Sequence, residues 1–156
     1  MTNAAILNEE QAMASIIREA HIDASPGDVW DAVRDFTAVD KRLVPGFVVE
    51  SHPDGEAARL VTFFNGGTAR EVLVGVDDEA RRLAYSVVKG PLGATHHNAS
   101  AQVFAVGRDA SRFVWITDVL PDQLGAAVAE LMTRGIAVIK QTLEAQALDQ
   151  RADLDQ

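Results

Sequence analysis

The strongest constraint on this chain is its last third. From Pro121-Asp122 to about Ala147, residues Leu124, Val128, Leu131, Gly135, Val138 or Ile139, and Thr142 recur every three or four positions. That spacing gives a helix one buried face. At 1.5 Å per residue such a helix is about 40 Å long, enough to cross a whole small domain. A face that long needs a broad apolar partner. Gly135 lies in the middle of it, where glycine costs about 1 kcal/mol against alanine, so a packing or cavity reason is expected there.

The partner is written in the preceding residues as alternating segments. Ala14 to Ala24 reads as a strand with Ile16, Arg18, Ala20 and Ile22 on one face. Ser25-Pro26 then opens a helix, serine as the cap and proline in the first turn. A second short helix is expected from Thr37 to about Leu43, stopped by Pro45-Gly46. Further strands are expected at 47–50, 58–64, 69–76, 82–88, 96–106 and 112–120, joined by short turns. Asn65-Gly66-Gly67 is the strongest hairpin signal, because these residues tolerate positive φ. The expected class is α+β: a curved antiparallel sheet wrapped around a long C-terminal helix, with two short helices after the first strand plugging one end. A curved sheet cannot press flat along a straight helix, and the gap left between them suits a small molecule. Residues 14–147 form the single expected domain, with an N-terminal arm at 1–13 and a C-terminal tail at 148–156.

Composition narrows the chemistry. The chain has 156 residues, no cysteine, and a net charge of −9 with basic residues scattered. Thiol nucleophiles, thiolate zinc sites and iron–sulfur clusters are excluded. Nucleic acid is disfavoured as a partner, since phosphate binding draws on clustered Lys and Arg. No segment has the length of a membrane span and Met1 to Met13 has no signal-peptide pattern, so a cytoplasmic protein is expected. No Gly-x-Ser-x-Gly elbow, Gly-x-Gly-x-x-Gly or P-loop occurs, and no cofactor is expected.

The segment Ile22-Asp23-Ala24-Ser25-Pro26-Gly27-Asp28-Val29-Trp30 resembles the opening signature of the START/Bet v 1-like (SRPBCC) superfamily, in its polyketide cyclase/dehydrase-like branch. The resemblance continues through Arg70-Glu71, Arg82-Leu83-Ala84-Tyr85-Ser86 and Phe113-Val114-Trp115 to the terminal helix, about residues 14–147. It implies a helix-grip fold with a hydrophobic ligand cavity. Members range from lipid, sterol, hormone and quinone carriers to polyketide cyclases and aromatases, so membership leaves activity open.

The candidate residues follow from face assignments. Phe63, Tyr85, Trp115, Leu131, Gly135 and Ile139 are expected at the cavity, and Met132 in the core. Trp30 and Phe36 are expected in core packing, with a cavity end-wall as the alternative. Adjacent strand residues point to opposite faces, so His96 and His97 do not chelate one metal, and no metal site is expected. His97 shares its face with Ala99, Ala101 and Val103 and is the inward one. It is a candidate hydrogen-bonding or acid/base group, with Tyr85 or Arg59 as partners in stabilising an enolate. Arg59 is also a candidate for an acidic ligand group, or for an ion pair with Glu71 that Arg18 is equally placed to make. Asp118 is expected outside, and Asp122 at the helix N-terminus. The Lys89-Gly90-Pro91-Leu92-Gly93 segment is a candidate lid.

Three functions remain open on these grounds. The first is a carrier or sensor of a small hydrophobic ligand (lipid, polyketide, aromatic or isoprenoid). The second is a cyclase/dehydratase-type enzyme, and the third a protein-interaction module with a closed cavity. Exposed edge strands make a homodimer possible.

Overall fold

The computed structural model describes residues 13–155; of the N-terminal arm expected over 1–13, all but Met13 lies outside the described residues. Strand β1 (Ala14–Ile22) is followed by α1 (Pro26–Arg34), a 3-10 turn (Phe36–Ala38) and the short helix α2 (Val39–Arg42). Six strands come next: β2 (Val48–Pro53), β3 (Ala58–Phe63), β4 (Thr68–Asp77), β5 (Arg82–Lys89), β6 (His96–Val106) and β7 (Ala110–Leu120). A 3-10 turn (Asp122–Leu124) leads into α3 (Gly125–Leu154). All seven strands form one antiparallel sheet in the order β1-β7-β6-β5-β4-β3-β2.

Local chemistry accounts for the joints. Ser25 caps α1, its hydroxyl accepting the Asp28 N–H at 3.2 Å, with Pro26 in the first turn where its missing N–H costs nothing. The Asn65-Gly66-Gly67 turn closes β3 onto β4, with Gly66 at φ 87° and the Gly67 N–H bonded to the Asn65 side chain at 3.0 Å. The sheet bends because β4 and β5 slip register twice, between Arg70 and Glu71 and again between Leu73 and Gly75. Such bulges add local twist and curl a strand away from its plane.

The terminal helix lies in this curl and is tied to β1. Arg18 Nε donates to Thr133 Oγ1 at 3.0 Å, and the Asp23 N–H to Glu144 Oε2 at 2.9 Å. At the start of α3 a Cβ on Gly125 would stand 2.7 Å from that of Ala14, so only glycine permits this approach. The buried face runs through Val128, Met132, Gly135, Ile136, Ile139, Leu143 and Ala147, one position off the stripe expected at Leu131 and Thr142, which are half-buried. The helix also continues past Ala147 to Leu154, since no glycine or proline follows to stop it.

Two packed clusters result. The larger joins α1 and the sheet to the C-terminal half of α3 through Val29, Trp30, Phe36, Phe113 and Ile139. The smaller, at the start of α3, is Ile16, Val119, Val128 and Met132. Trp115 packs against both. Trp30 is a core residue rather than a cavity wall: it is 6% exposed and its indole N–H donates to Asp78 at 2.9 Å. Phe36 is also buried in the larger cluster. Among the described residues no helix is long and apolar enough to cross a membrane.

Candidate functional site

Between the two clusters the sheet and α3 separate around a cavity of about 130 Å³. Val33, Val39 and Leu43 of the N-terminal helical segment close one end, and Phe63, Leu83, Val87, Phe113 and Trp115 form the sheet wall. Leu131, Met132 and Ile139 form the helix wall. A second hollow of about 150 Å³ adjoins it beneath the Gly90-Pro91-Leu92-Gly93 segment, sharing Phe63, Glu71, Val87, Leu92, His97 and Leu131. That segment thus roofs the outer chamber. A Cβ on Gly67 would come within 3.3 Å of the Pro91 ring, so the β3–β4 turn meets the roof.

The polar groups of the cavity lie on neighbouring strands. Arg59 and Glu71 are a cross-strand pair of β3 and β4, and both side chains are less than a tenth exposed. Arg59 Nε and Nη2 reach Glu71 Oε1 at 2.8 and 2.7 Å, and Nη1 donates to the Phe36 carbonyl at 2.7 Å. The guanidinium also lies 3.9 Å from the centre of the Phe36 ring and 5.2 Å from that of Tyr85. A buried guanidinium requires such compensation. Three of its five N–H donors are therefore turned to the protein, and of the two roles expected for Arg59 the ion pair with Glu71 is the one present here.

Tyr85 is diagonal to Glu71 across the β4–β5 ladder, in which Glu71 pairs with Val87 and Leu73 with Tyr85. The Trp115 indole N–H donates to its hydroxyl at 3.3 Å. Burial, reinforced by the nearby Glu71 charge, raises the phenol far above its ordinary pKa and keeps it neutral. His97 is diagonal to Tyr85 on the other side, since Tyr85 pairs with Ala99. Burial lowers the imidazole pKa, opposed by the Glu71 charge and assisted by His96, so the ring favours its neutral form. The polar wall thus combines the Arg59–Glu71 ion pair with a phenol and an imidazole that both favour their neutral forms.

Of the residues picked from sequence, Arg59, Phe63, Tyr85, His97, Trp115, Leu131 and Ile139 all line this cavity. Gly135 does not. A Cβ there would stand 3.0 Å from Trp115 Cζ3 and 3.2 Å from Cη2, so this glycine makes room for the indole instead of facing the hollow. Asp122 makes no side-chain cap; its Oδ1 is buried without a hydrogen-bond partner, and the α3 N-terminus has none either. Asp118 is on the outer face, accepting from Ser15 at 2.6 Å. Met132 is a core residue that also touches the cavity. Sequence reasoning passed over Glu71 as a cavity group and weighed it only as an ion-pair partner. Its place on the inward face was legible from alternation, but its position beside Tyr85 depends on strand register. Among the described residues, no three His, Cys, Asp or Glu side chains are grouped to hold a metal ion.

Solved structures share this architecture. The protein XoxI from Bacillus cereus aligns with a TM-score of 0.75 at 19% identity, covering 83% of this chain and 95% of that one. Norcoclaurine synthase from Thalictrum flavum, in complex with dopamine and hydroxybenzaldehyde, aligns with a TM-score of 0.67 at 22% identity, covering 96% and 95%. A START superfamily protein from Mycobacterium smegmatis aligns with a TM-score of 0.63 at 16% identity, covering 86% and 97%. At these identities the likeness establishes the helix-grip fold. No curated protein matches the sequence. Residues 13–149 match the family described as polyketide cyclase / dehydrase and lipid transport, and the chain belongs to that family.

Proposed function

We propose that this protein is a carrier or sensor that encloses a small, mainly hydrophobic ligand between the sheet and α3. Proteins of this superfamily typically bind hydrophobic ligands. The observation that carries the reading for this chain is the cavity itself: a largely apolar hollow with Glu71, Tyr85 and His97 grouped on its sheet wall. Apolar walls supply affinity and a few placed polar groups supply orientation. The Gly90-Pro91-Leu92-Gly93 roof is the proposed entry. The closed-cavity interaction module presupposes a filled interior, and here Trp115 and Tyr85 leave a gap. Native mass spectrometry of protein purified without denaturation tests the reading. A retained small molecule, lost after Leu131→Trp narrows the hollow, is the expected result. Absence of any retained or added apolar ligand overturns it.

A second reading, a cyclase/dehydratase-type enzyme, is favoured by one observation. His97 and Tyr85 face the same hollow from adjacent strands, the neutral imidazole able to take a proton and the neutral phenol able to donate a hydrogen bond to an enolate oxygen. Recovery of the ligand chemically unchanged after prolonged incubation counts against it. Conversion that disappears in His97→Ala supports it.

A further inference from the structure

The polar wall has a donor–acceptor pattern more selective than its location alone implies. Both Arg59 contacts to Glu71 converge on Oε1. The other carboxylate oxygen keeps its lone pairs, and Glu71 lines both chambers. The Tyr85 hydroxyl already accepts the Trp115 N–H, so its own proton is left to donate. These two groups are diagonal neighbours on one face of β4 and β5. Long side chains at diagonal positions lie within reach of one another, and no hydrogen bond joins these two directly.

A group seated between them must donate to a carboxylate and accept from a phenol. A hydroxyl does both. A carbonyl or ether only accepts and leaves the buried Glu71 oxygen unanswered. A carboxylate also only accepts, and beside Tyr85 it meets the like charge of Glu71, whose partner Arg59 is already paired, while Lys89 of the outer chamber is exposed to solvent. Size narrows the class further. A dry hollow of roughly 150 Å³ holds a benzene-sized ring. The inner chamber of about 130 Å³ fits one such ring between aromatic walls, and the outer chamber of about 150 Å³ fits a short apolar substituent.

We infer that the cavity selects a neutral hydroxylated ligand, of which an alkyl-substituted phenol is the simplest form, over the matching ether and carboxylate, with Glu71 and Tyr85 as the selecting pair. This inference rests on the ligand-binding reading above and specifies the polar end of that ligand.

Isothermal titration of the whole protein with 4-propylphenol, 4-propylanisole and 4-propylbenzoate at neutral pH tests it. The expected order places the phenol at least about tenfold tighter than either competitor, the scale of one hydrogen bond to a charged group. Tyr85→Phe and Glu71→Gln should each shrink that margin several-fold, and Glu71→Gln should raise benzoate affinity because Arg59 loses its counter-charge. Equal or tighter binding of anisole or benzoate to the unaltered protein overturns the hydroxyl selection and leaves the ligand cavity standing. No binding of any of the three overturns both. Because the decisive comparison uses the unaltered protein, a variant that fails to fold does not blunt it.

Discussion

Gly135 lies directly beneath the Trp115 indole, where a Cβ would stand 3.0 Å from Cζ3. Two effects of Gly135→Ala oppose one another. Alanine in mid-helix gains about 1 kcal/mol over glycine. The same methyl pushes an indole whose other side borders the cavity, so the ring yields by tilting into the hollow. The expected outcome is a net stability change within about 1 kcal/mol, a shifted tryptophan emission, and several-fold weaker binding of an apolar ligand. Thermal denaturation, emission spectra and titration read the three effects separately. A full helix-propensity gain with unchanged emission would show that the indole does not rest on this glycine.

Tyr85 is the single tyrosine of the chain, so phenolate absorbance reports on it alone. Its folded-state pKa is raised by burial and by Glu71. The contribution to stability is whole below the unfolded phenol value of about 10 and falls as pH rises above it, because only the unfolded state releases the proton. The loss approaches about 1.4 kcal/mol per pH unit until the fold gives way. Alkaline titration at 295 nm should therefore show no phenolate before cooperative unfolding, with both events coincident. A smooth phenolate titration near pH 10 in folded protein would place the hydroxyl in solvent. Tyr85→Phe should remove this component of the alkaline instability and leave the Trp115 N–H without its acceptor, costing about 1 kcal/mol at neutral pH.

What was legible in the sequence divides along physical lines. Ser25-Pro26, Asn65-Gly66-Gly67 and the alternation of His97 with Ala99, Ala101 and Val103 act through local backbone rules, and each lies where those rules place it. The helix-grip fold followed from the same kind of pattern. The relationship of Glu71 to Tyr85 was not accessible in this way. It depends on the register of β4 against β5, and the bulges there interrupt simple counting. Gly135 left packing and cavity both open for a related reason. A glycine on an apolar helix face signals close approach, but which group approaches is decided by a strand some twenty residues earlier in the chain.

His97 carries a pH signature of the opposite sign to Tyr85. Its folded pKa is lowered, first by burial. The stability linked to it is present above the ordinary imidazole value and falls as acid titrates through that value, because the unfolded state takes the proton more readily. Melting temperature measured from pH 8 to pH 5 should decline, and His97→Gln should flatten that part of the decline. The Cε1–H resonance of His97 should titrate with a midpoint below the ordinary imidazole value. A midpoint above that value would mean that an anionic partner, Glu71 foremost, outweighs burial. His97→Ala should also weaken ligand binding by about 1–3 kcal/mol if the ring hydrogen-bonds the ligand.

The Arg59–Glu71 pair predicts a marked asymmetry between single and double substitution. Arg59→Met removes both contacts to Glu71 Oε1 and the bond to the Phe36 carbonyl, leaving a carboxylate enclosed with no counter-charge. Breaking a buried pair from one side costs about 3–5 kcal/mol. In Arg59→Met/Glu71→Gln the charge goes with its partner, and methionine keeps much of the packing against Phe36 and Tyr85, so the double variant should be more stable than Arg59→Met alone. Urea denaturation of the four members of the cycle measures this, with no cysteine to complicate refolding. A double variant no more stable than the single would mean that Glu71 finds its compensation elsewhere in the cavity. A ligand donor titrated into Arg59→Met would then restore nothing, whereas an unpaired Glu71 should make that variant more dependent on bound 4-propylphenol for its stability than the native chain is.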